Sequence, residues 1–301
     1  MKKNTNKWTL GVLSIMSIGI LFSACSKKSG TTIAPPEPLG GYVSSDSVAS
    51  ANLIAYWPFD GNANDVKGGL SGTATGVTYT TGIRGQAYQG STSGAIQVPL
   101  TSSSAFANLQ SFTVSLWYND PVQVTSPNHG LFHMYGPADW NLLEIEFERD
   151  STSTGDSVRL HAGFTNPGGV DYKGIVPESL MDSAIGKWVN IAMTYDGGSS
   201  MYTIYQNGVP IGAKTAWSNG AYAPTPTEIW TDGTATTPMG NLNFSSEVPT
   251  GITIGAFPPS ITAGNSWAGS FPGMLDELRV YNKALTRAEV KGLYLNGKAG
   301  R

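Results

Sequence analysis

Three glutamates alternate along Leu143-Glu144-Ile145-Glu146-Phe147-Glu148. Side chains of a strand alternate between its faces, so Glu144, Glu146 and Glu148 share one face and Ile145 and Phe147 the other. Such a row of carboxylates has three chemical uses. Two of them could act as the carboxyl pair of a retaining hydrolysis of glycosides, which needs carboxyls about 5–5.5 Å apart. Alternate strand positions lie about 6.6 Å apart and positions i and i+4 about 13 Å, so the outer two would have to lean together. The row could instead bind a sugar or a cation. The third use is a ladder of cross-strand ion pairs, because Arg159 and His161 lie on one face of the next strand, Ser157–Phe164.

A second oxygen-rich set is Asp60-Gly61-Asn62-Ala63-Asn64-Asp65. Hard cations take several carboxylate and carbonyl oxygens. The run departs from an EF-hand loop, with Asp65 at the glycine position and Ser71 at the position of the bidentate glutamate. A structural Ca2+ held by Asp60, Asp65 and Asp276 is one reading. A turn whose Asx side chains satisfy their own backbone is the other. The histidines, His129, His133 and His161, come without a partner cysteine or an H-E-x-x-H pattern, so zinc is not expected. His129 and His133 are four apart, but in a strand, where that spacing builds no helical metal pair. There is no G-x-S-x-G elbow, glycine-rich phosphate loop or basic aromatic stripe.

Four tryptophans stand outside strand patterns with polar neighbours: Trp140 between Asp139 and Asn141, Trp217 before Ser218 and Asn219, Trp230 near Asp232, and Trp267 after Asn265. A flat ring suits the CH face of a sugar, and amides and carboxylates suit its hydroxyls. Two or more of the four are expected to form one glycan platform where residues 213–250 fold over the end of the domain. That segment is a long Pro-, Thr- and Asn-rich interruption, and loops of this kind often carry function. Pinning the loop to the body is the plainer role for Trp217, Tyr222 and Trp230.

The elements that must position these residues are strands. Strand patterns recur from Leu53–Phe59 to Met274–Tyr281, separated by glycine and asparagine turns, with no βαβ rhythm and no fixed-period repeat. The centre is GKWVNIAMTYDGGSSMYTIYQNGVPIG at 186–212. There Asp196-Gly197-Gly198 and Asn207-Gly208 turn three strands into an antiparallel meander, whose apolar face needs a second sheet. The low charged fraction, 13%, with 37 Gly and 18 Pro, suits a turn-rich all-β chain.

That meander resembles the central hairpins of laminin-G-like and pentraxin-like domains in the concanavalin A-like lectin/glucanase superfamily. LIAYWPFDGNANDVKGG at 53–69, SFTVSLWYN at 111–119, GITIG at 251–255 and FPGMLDELRVYNKALTRAEV at 271–290 match in order. The resemblance implies an all-β jelly-roll β-sandwich over residues 51–301 and a binding function, with a glycan or glycoprotein as partner. It also implies calcium near the Asp60–Asp65 loop. Glu144-x-Glu146-x-Glu148 is similar to the E-x-D-x-E strand of the laminarinase-like glycoside hydrolases. That likeness would make Glu144 nucleophile and Glu148 acid/base, with Glu146 where that family has aspartate. A structural or adhesive envelope protein is a further alternative.

Both ends add to this. Lys2, Lys3 and Lys7 precede a short apolar run, Trp8–Phe22, and Phe22-Ser23-Ala24-Cys25 resembles a bacterial lipoprotein cleavage box. Residues 1–24 read as a signal peptide, the single cysteine Cys25 as the lipidated mature N-terminus, and residues 25–50 as a flexible Gly/Pro/Ser tether. The expected place is the outer membrane of a Bacteroidetes-type cell envelope, on its surface or periplasmic face, with membrane contact through the lipid only. Without the signal peptide the 18 basic residues fall to 15 against 21 acids, which argues against nucleic acid. Thr286-x-x-Glu289 is a capping box opening a short C-terminal helix, expected to stop near Gly297 and to pack on the sandwich edge.

Overall fold

A computed structural model of the chain describes residues 36–121, 127–148, 155–169, 173–211, 227–228 and 239–301. Its strands begin with β1 (Leu53–Trp57), β2 (Thr73–Thr75), β3 (Thr78–Thr81), β4 (Gln86–Gln89), β5 (Ala95–Pro99) and β6 (Phe112–Asn119). They continue with β7 (Asn128–Tyr135), β8 (Leu143–Glu148), β9 (Val158–Thr165), β10 (Lys173–Met181), β11 (Val189–Asp196) and β12 (Met201–Gln206). The last are β13 (Val209–Ile211), β14 (Thr227–Glu228), β15 (Gly251–Ile254), β16 (Ala268–Ser270) and β17 (Met274–Tyr281). Two helices are α1 (Pro259–Thr262) and α2 (Arg287–Lys298). No helix among the described residues is long and apolar enough to cross a membrane.

The strands form two sheets. The first has the order β13-β12-β11-β6-β17-β4-β3, with β1 also on β17 and β14 on β12. The second has the order β10-β9-β8-β7-β15-β5-β2, with β16 on β7. Alternation decides which face each strand buries. Phe112, Val114, Leu116 and Tyr118 of β6 point into the sandwich, as do Leu143, Ile145 and Phe147 of β8. Edge-to-face ring contacts join the layers, Phe112 on Phe164 at 5.2 Å and Tyr118 on Phe147 at 4.7 Å. Each fully buried side chain of this size is worth roughly 1.5–3 kcal/mol, so the fold rests on this interface.

The central meander forms as its sequence predicts. β11 pairs with β12 from Ile191↔Gln206 to Asp196↔Met201, and β12 with β13. Asn207 and Gly208 take φ of 53° and 71°, the left-handed pair that a two-residue hairpin of matching twist requires. α2 carries its capping box, with Thr286 accepting from the Glu289 amide. The helix packs on the outer face of the first sheet, not on its edge. Ala192, Tyr205, Tyr281, Leu285, Val290 and Leu293 make a second apolar cluster there with Val48. Gly297 lies inside α2 and does not stop it. A Cβ at that position would sit 2.7 Å from the Trp117 indole nitrogen, so the glycine admits Trp117, which stacks on Tyr294 at 5.7 Å.

The compact unit runs from Glu37 to Arg301 and so takes in the second half of the stretch read as tether. Ser45 donates to the Arg301 carbonyl at 2.7 Å, Asn296 donates to the Leu39 carbonyl at 2.9 Å, and Val48 is buried. The Gly- and Ser-rich composition hid these anchors, because one hydroxyl, one backbone carbonyl and a single Val carry them, with partners far along the chain. Cys25, Trp217 and Trp230 lie outside the described residues.

Candidate functional site: carboxylates and histidines beneath an aromatic wall

The three glutamates of β8 do share the face turned away from the core. Their ladder partners fix what stands around them. Glu144 lies opposite His133 of β7 and Gly163 of β9; Glu146 lies opposite His161, and Glu148 opposite Arg159. A bulge in β7 at Leu131 makes this arrangement possible. In a regular strand His129 and His133 would share a face. With one extra residue between them, His129 lies opposite core-facing Phe147, while His133 lies opposite Glu144 on the outer face.

The face is covered by the excursion between β15 and β16. Gly130 of β7 lets that segment approach closely, since a Cβ there would meet the Ala256 carbonyl carbon at 2.4 Å. The excursion brings the Ala256 carbonyl to His133 Nδ1 (3.2 Å) and lays Phe257 on the His133 ring at 4.7 Å. Trp140, from the loop before β8, and Trp267, from the excursion, close the wall. Their rings lie 6.2 Å apart, each against Phe257 at 6.0 and 5.2 Å. Phe257 is buried, Trp140 half-buried, and Trp267 42% exposed with its N–H donated to Asn265 at 3.1 Å.

Hydrogen-bond geometry assigns the protons. His133 Nδ1 faces a carbonyl and donates to it; in the neutral ring Nε2 then accepts, and the oxygen 3.2 Å away, Glu146 Oε2, carries the proton between them. The electrostatics agree. Burial pushes His133 down to about 4, and burial together with the Glu144 charge pushes Glu146 well up. His161 is the opposite case. Its Nδ1 donates to Glu148 (2.9 Å) and its Nε2 to Glu144 (3.2 Å). Burial alone would lower it, but those two bonds and the glutamate charges hold it well above the usual imidazole range. Arg159 Nε stands 3.0 Å from Glu148 Oε2. Asn141 donates to Glu144 Oε1 at 3.2 Å, and Glu144 Oε2 is buried with no hydrogen-bond partner.

The ion-pair ladder foreseen from sequence is therefore present. The hydrolytic pair is not set up in this arrangement, because His161 stands between Glu144 and Glu148 and Glu144 is 1% exposed. The structure brings together two of the four platform tryptophans, Trp140 and Trp267. Sequence reasoning named His133 but gave it no partner in this strand, and it did not single out Phe257. The adjacent apolar pair Leu131-Phe132, which breaks the alternation, was the available signal for the bulge.

Asp60, Asp65 and Asp276 are not brought together as one ligand set. Asp65 accepts from the amides of Tyr56 (2.7 Å), Lys67 (2.8 Å) and Gly68 (2.8 Å), closing its own turn and capping the free edge of β1. Asp60 accepts from Gln86 N (2.7 Å) and Asp276 from Ile83 N and Arg84 N (2.9 and 3.1 Å), so these two grip the ends of another turn. Burial pushes Asp276 up to about 8, against amides that favour its charged form. Among the described residues, the groups close enough to share one ion are His133 with Glu144 and Glu146, and Glu146 with Glu148 and His161.

Residues 90–237 match the family model Laminin_G_3, of the concanavalin A-like lectin/glucanases superfamily. None of the curated proteins matches the sequence. Domain 4 of AbnA, an extracellular arabinanase from Geobacillus stearothermophilus solved in complex with arabinotriose, is similar over 81% of this chain and 98% of its own. The identity is 23% and the TM-score 0.50. A Trypanosoma rangeli sialidase in complex with sialic acid is similar over 88% of this chain and 36% of its own, at 17% identity and TM-score 0.54. The binding domain of Paraclostridial Mosquitocidal Protein 1 is similar over 81% of this chain and 52% of its own, at 16% identity and TM-score 0.53. This chain thus spans about a third of the sialidase and half of the toxin domain. At these identities the likeness is one of fold, and the shared fold is the two-sheet jelly roll.

Proposed function

We propose that this jelly roll of the concanavalin A-like lectin/glucanase type is a glycan-binding module, with the sugar lying on Trp140 and Trp267. One observation carries the reading: two tryptophans from distant parts of the chain meet on the outer face of the second sheet, and Trp267 stays 42% exposed. A monomer gains nothing in stability by leaving a large ring in water, whereas a sugar face needs such a ring. On the same face of the sheet, Glu148 and Arg159 each keep about a fifth of the side chain exposed. The arabino-oligosaccharide bound to the similar arabinanase domain supports a glycan as the ligand class.

A glycan array probed with the full-length protein is the test, followed by calorimetry and product analysis on each hit. Binding without turnover is expected. Cleavage of the bound glycan that is lost in Glu144→Gln would establish the hydrolase instead, and no binding to any glycan would leave an adhesive or structural role. The anchor belongs to the same reading. Cys25 carries lipid and holds the module at the outer membrane, on the strength of the short apolar run and the Phe22-Ser23-Ala24-Cys25 box. A clickable fatty acid should label the wild type and not Cys25→Ser.

A further inference from the structure

We infer that His133, Glu144 and Glu146 form a site for a divalent transition metal, zinc foremost, on the outer face of the second sheet. The inference is independent of glycan binding. One donor atom from each residue lies within 4.8 Å of the other two. His133 Nε2 and Glu146 Oε2 are 3.2 Å apart, close to the roughly 3.4 Å that separates two ligands on a tetrahedral ion with bonds of about 2.1 Å. The residues come from two hydrogen-bonded strands, so the backbone ladder holds them in register without help from a loop.

The surroundings are those of a ligand set. Metal-binding histidines donate their second ring N–H to a carbonyl or carboxylate, which fixes the tautomer. His133 does so through Nδ1 to Ala256, and its ring packs against both Phe257 and Trp140. Glu144 is held through Oε1 by Asn141 and His161, while Oε2 is buried and without a hydrogen-bond partner. A buried carboxylate oxygen with no donor is costly, and a cation is the partner that removes the cost.

The alternative trio, Glu146, Glu148 and His161, is already engaged. Both nitrogens of His161 are donated, and Glu148 is paired with His161 and Arg159. The donor type selects the ion. Imidazole with carboxylates suits zinc and its first-row neighbours, whereas calcium takes oxygen ligands alone.

The test uses the full-length protein after chelator treatment and dialysis. Calorimetric titration with Zn2+ should show one site per chain, and Co2+ should give the visible absorption of an ion bound to imidazole and carboxylates. Ca2+ should give neither heat nor a melting shift. His133→Asn and Glu146→Gln should each weaken Zn2+ binding by roughly 100-fold or more, beyond the loss that an outer-shell partner causes. Glu146→Gln keeps the shape of the side chain, so a folding defect would not mask the result, and circular dichroism checks it. No stoichiometric uptake of Zn2+ or Co2+ by the wild type overturns the inference, as does uptake that survives both substitutions. Measuring glycan binding on the same chelated protein keeps this result separate from that of the binding reading.

Discussion

The molecule carries two clusters of charge, one on each sheet, and they are built on opposite principles. On the first sheet Arg84 and Arg279 face Asp46 and Glu277. Arg279 donates to Glu277 and to Asp46, each at 2.6 Å, and lies over the Tyr56 ring at 4.0 Å. Arg84 reaches Asp46 through two bonds, at 2.9 and 2.7 Å, and Tyr56 donates to Glu277. Two positive groups meet two negative ones, and four separate segments of chain are fastened together. On the second sheet Glu144, Glu146, Glu148, His133, Arg159 and His161 come from three adjacent strands that the backbone already joins. Beyond those strands the described contacts hold only the neighbouring Asn141 loop and the Ala256 excursion, and among the described residues Glu144 Oε2 has no hydrogen-bond partner. A cluster that ties distant segments together is architecture. One laid on a pre-built sheet, with a buried carboxylate oxygen left over, points to a ligand.

Removing one partner from each cluster should give the largest contrast. Arg279→Met leaves Glu277 and Asp46 with Arg84 alone. Breaking a buried pair in this way costs about 3–5 kcal/mol. Glu277 adds to the sensitivity, since it sits at φ 54°, a strained left-handed position that the network holds in place. Glu146→Gln should cost less than about 1 kcal/mol, because the acid it replaces is already neutral in the fold. Urea unfolding of the two variants against wild type decides the matter. Equal losses would mean that both clusters are structural.

A smaller effect separates the clusters by pH. His161 has a folded pKa raised well above 6.5, since its bonds to Glu144 and Glu148 outweigh burial. Its contribution is therefore full below about pH 6.5 and is lost as pH rises through the folded value. Glu146, also raised, acts in the same direction: its contribution is present below its unfolded value and lost on the way up. The arginine network has no such limb, because guanidinium groups stay charged and Arg84 holds Asp46 below its usual range. Unfolding free energy of the wild type should fall as pH rises above about 6.5, and His161→Gln should flatten that fall. Parallel curves for the two proteins would place the titration elsewhere.

The sandwich was legible because period-two alternation and turn chemistry are local. Asn207-Gly208, the Thr286 capping box and the alternation of Glu144 to Glu148 each act within a few residues. The candidate site was half legible for the same reason. Which residues share a face of β8 is local, but what lies opposite depends on register, and one bulge at Leu131 moved His133 beside Glu144. The aspartates teach the converse. Asp60, Asp65 and Asp276 have the donor chemistry of a cation site, and the structure uses all three on backbone amides. Composition alone does not separate those uses; the orientation of neighbouring N–H groups does. Arg84 and Arg279 went unremarked in sequence because their partners lie far along the chain.

The smallest expected stability effect belongs to Trp267, and it sharpens the comparison most. Were the second-sheet cluster and its wall architecture, each ring in the wall would behave as core, and truncating a buried tryptophan costs roughly 3–5 kcal/mol. Trp267 is 42% exposed and its N–H partner, Asn265, is two residues away, so the ring ties down little beyond its own loop. Trp267→Ala should therefore lower stability by about 1 kcal/mol or less, while abolishing binding to whichever glycan the wild type selects. Trp140, half-buried against His133 and Phe257, should cost more in stability and as much in binding. Melting temperature and glycan affinity measured on the same samples separate the cases. A core-sized loss for Trp267→Ala, or unchanged affinity in both variants, would show that the wall only shields the cluster beneath it.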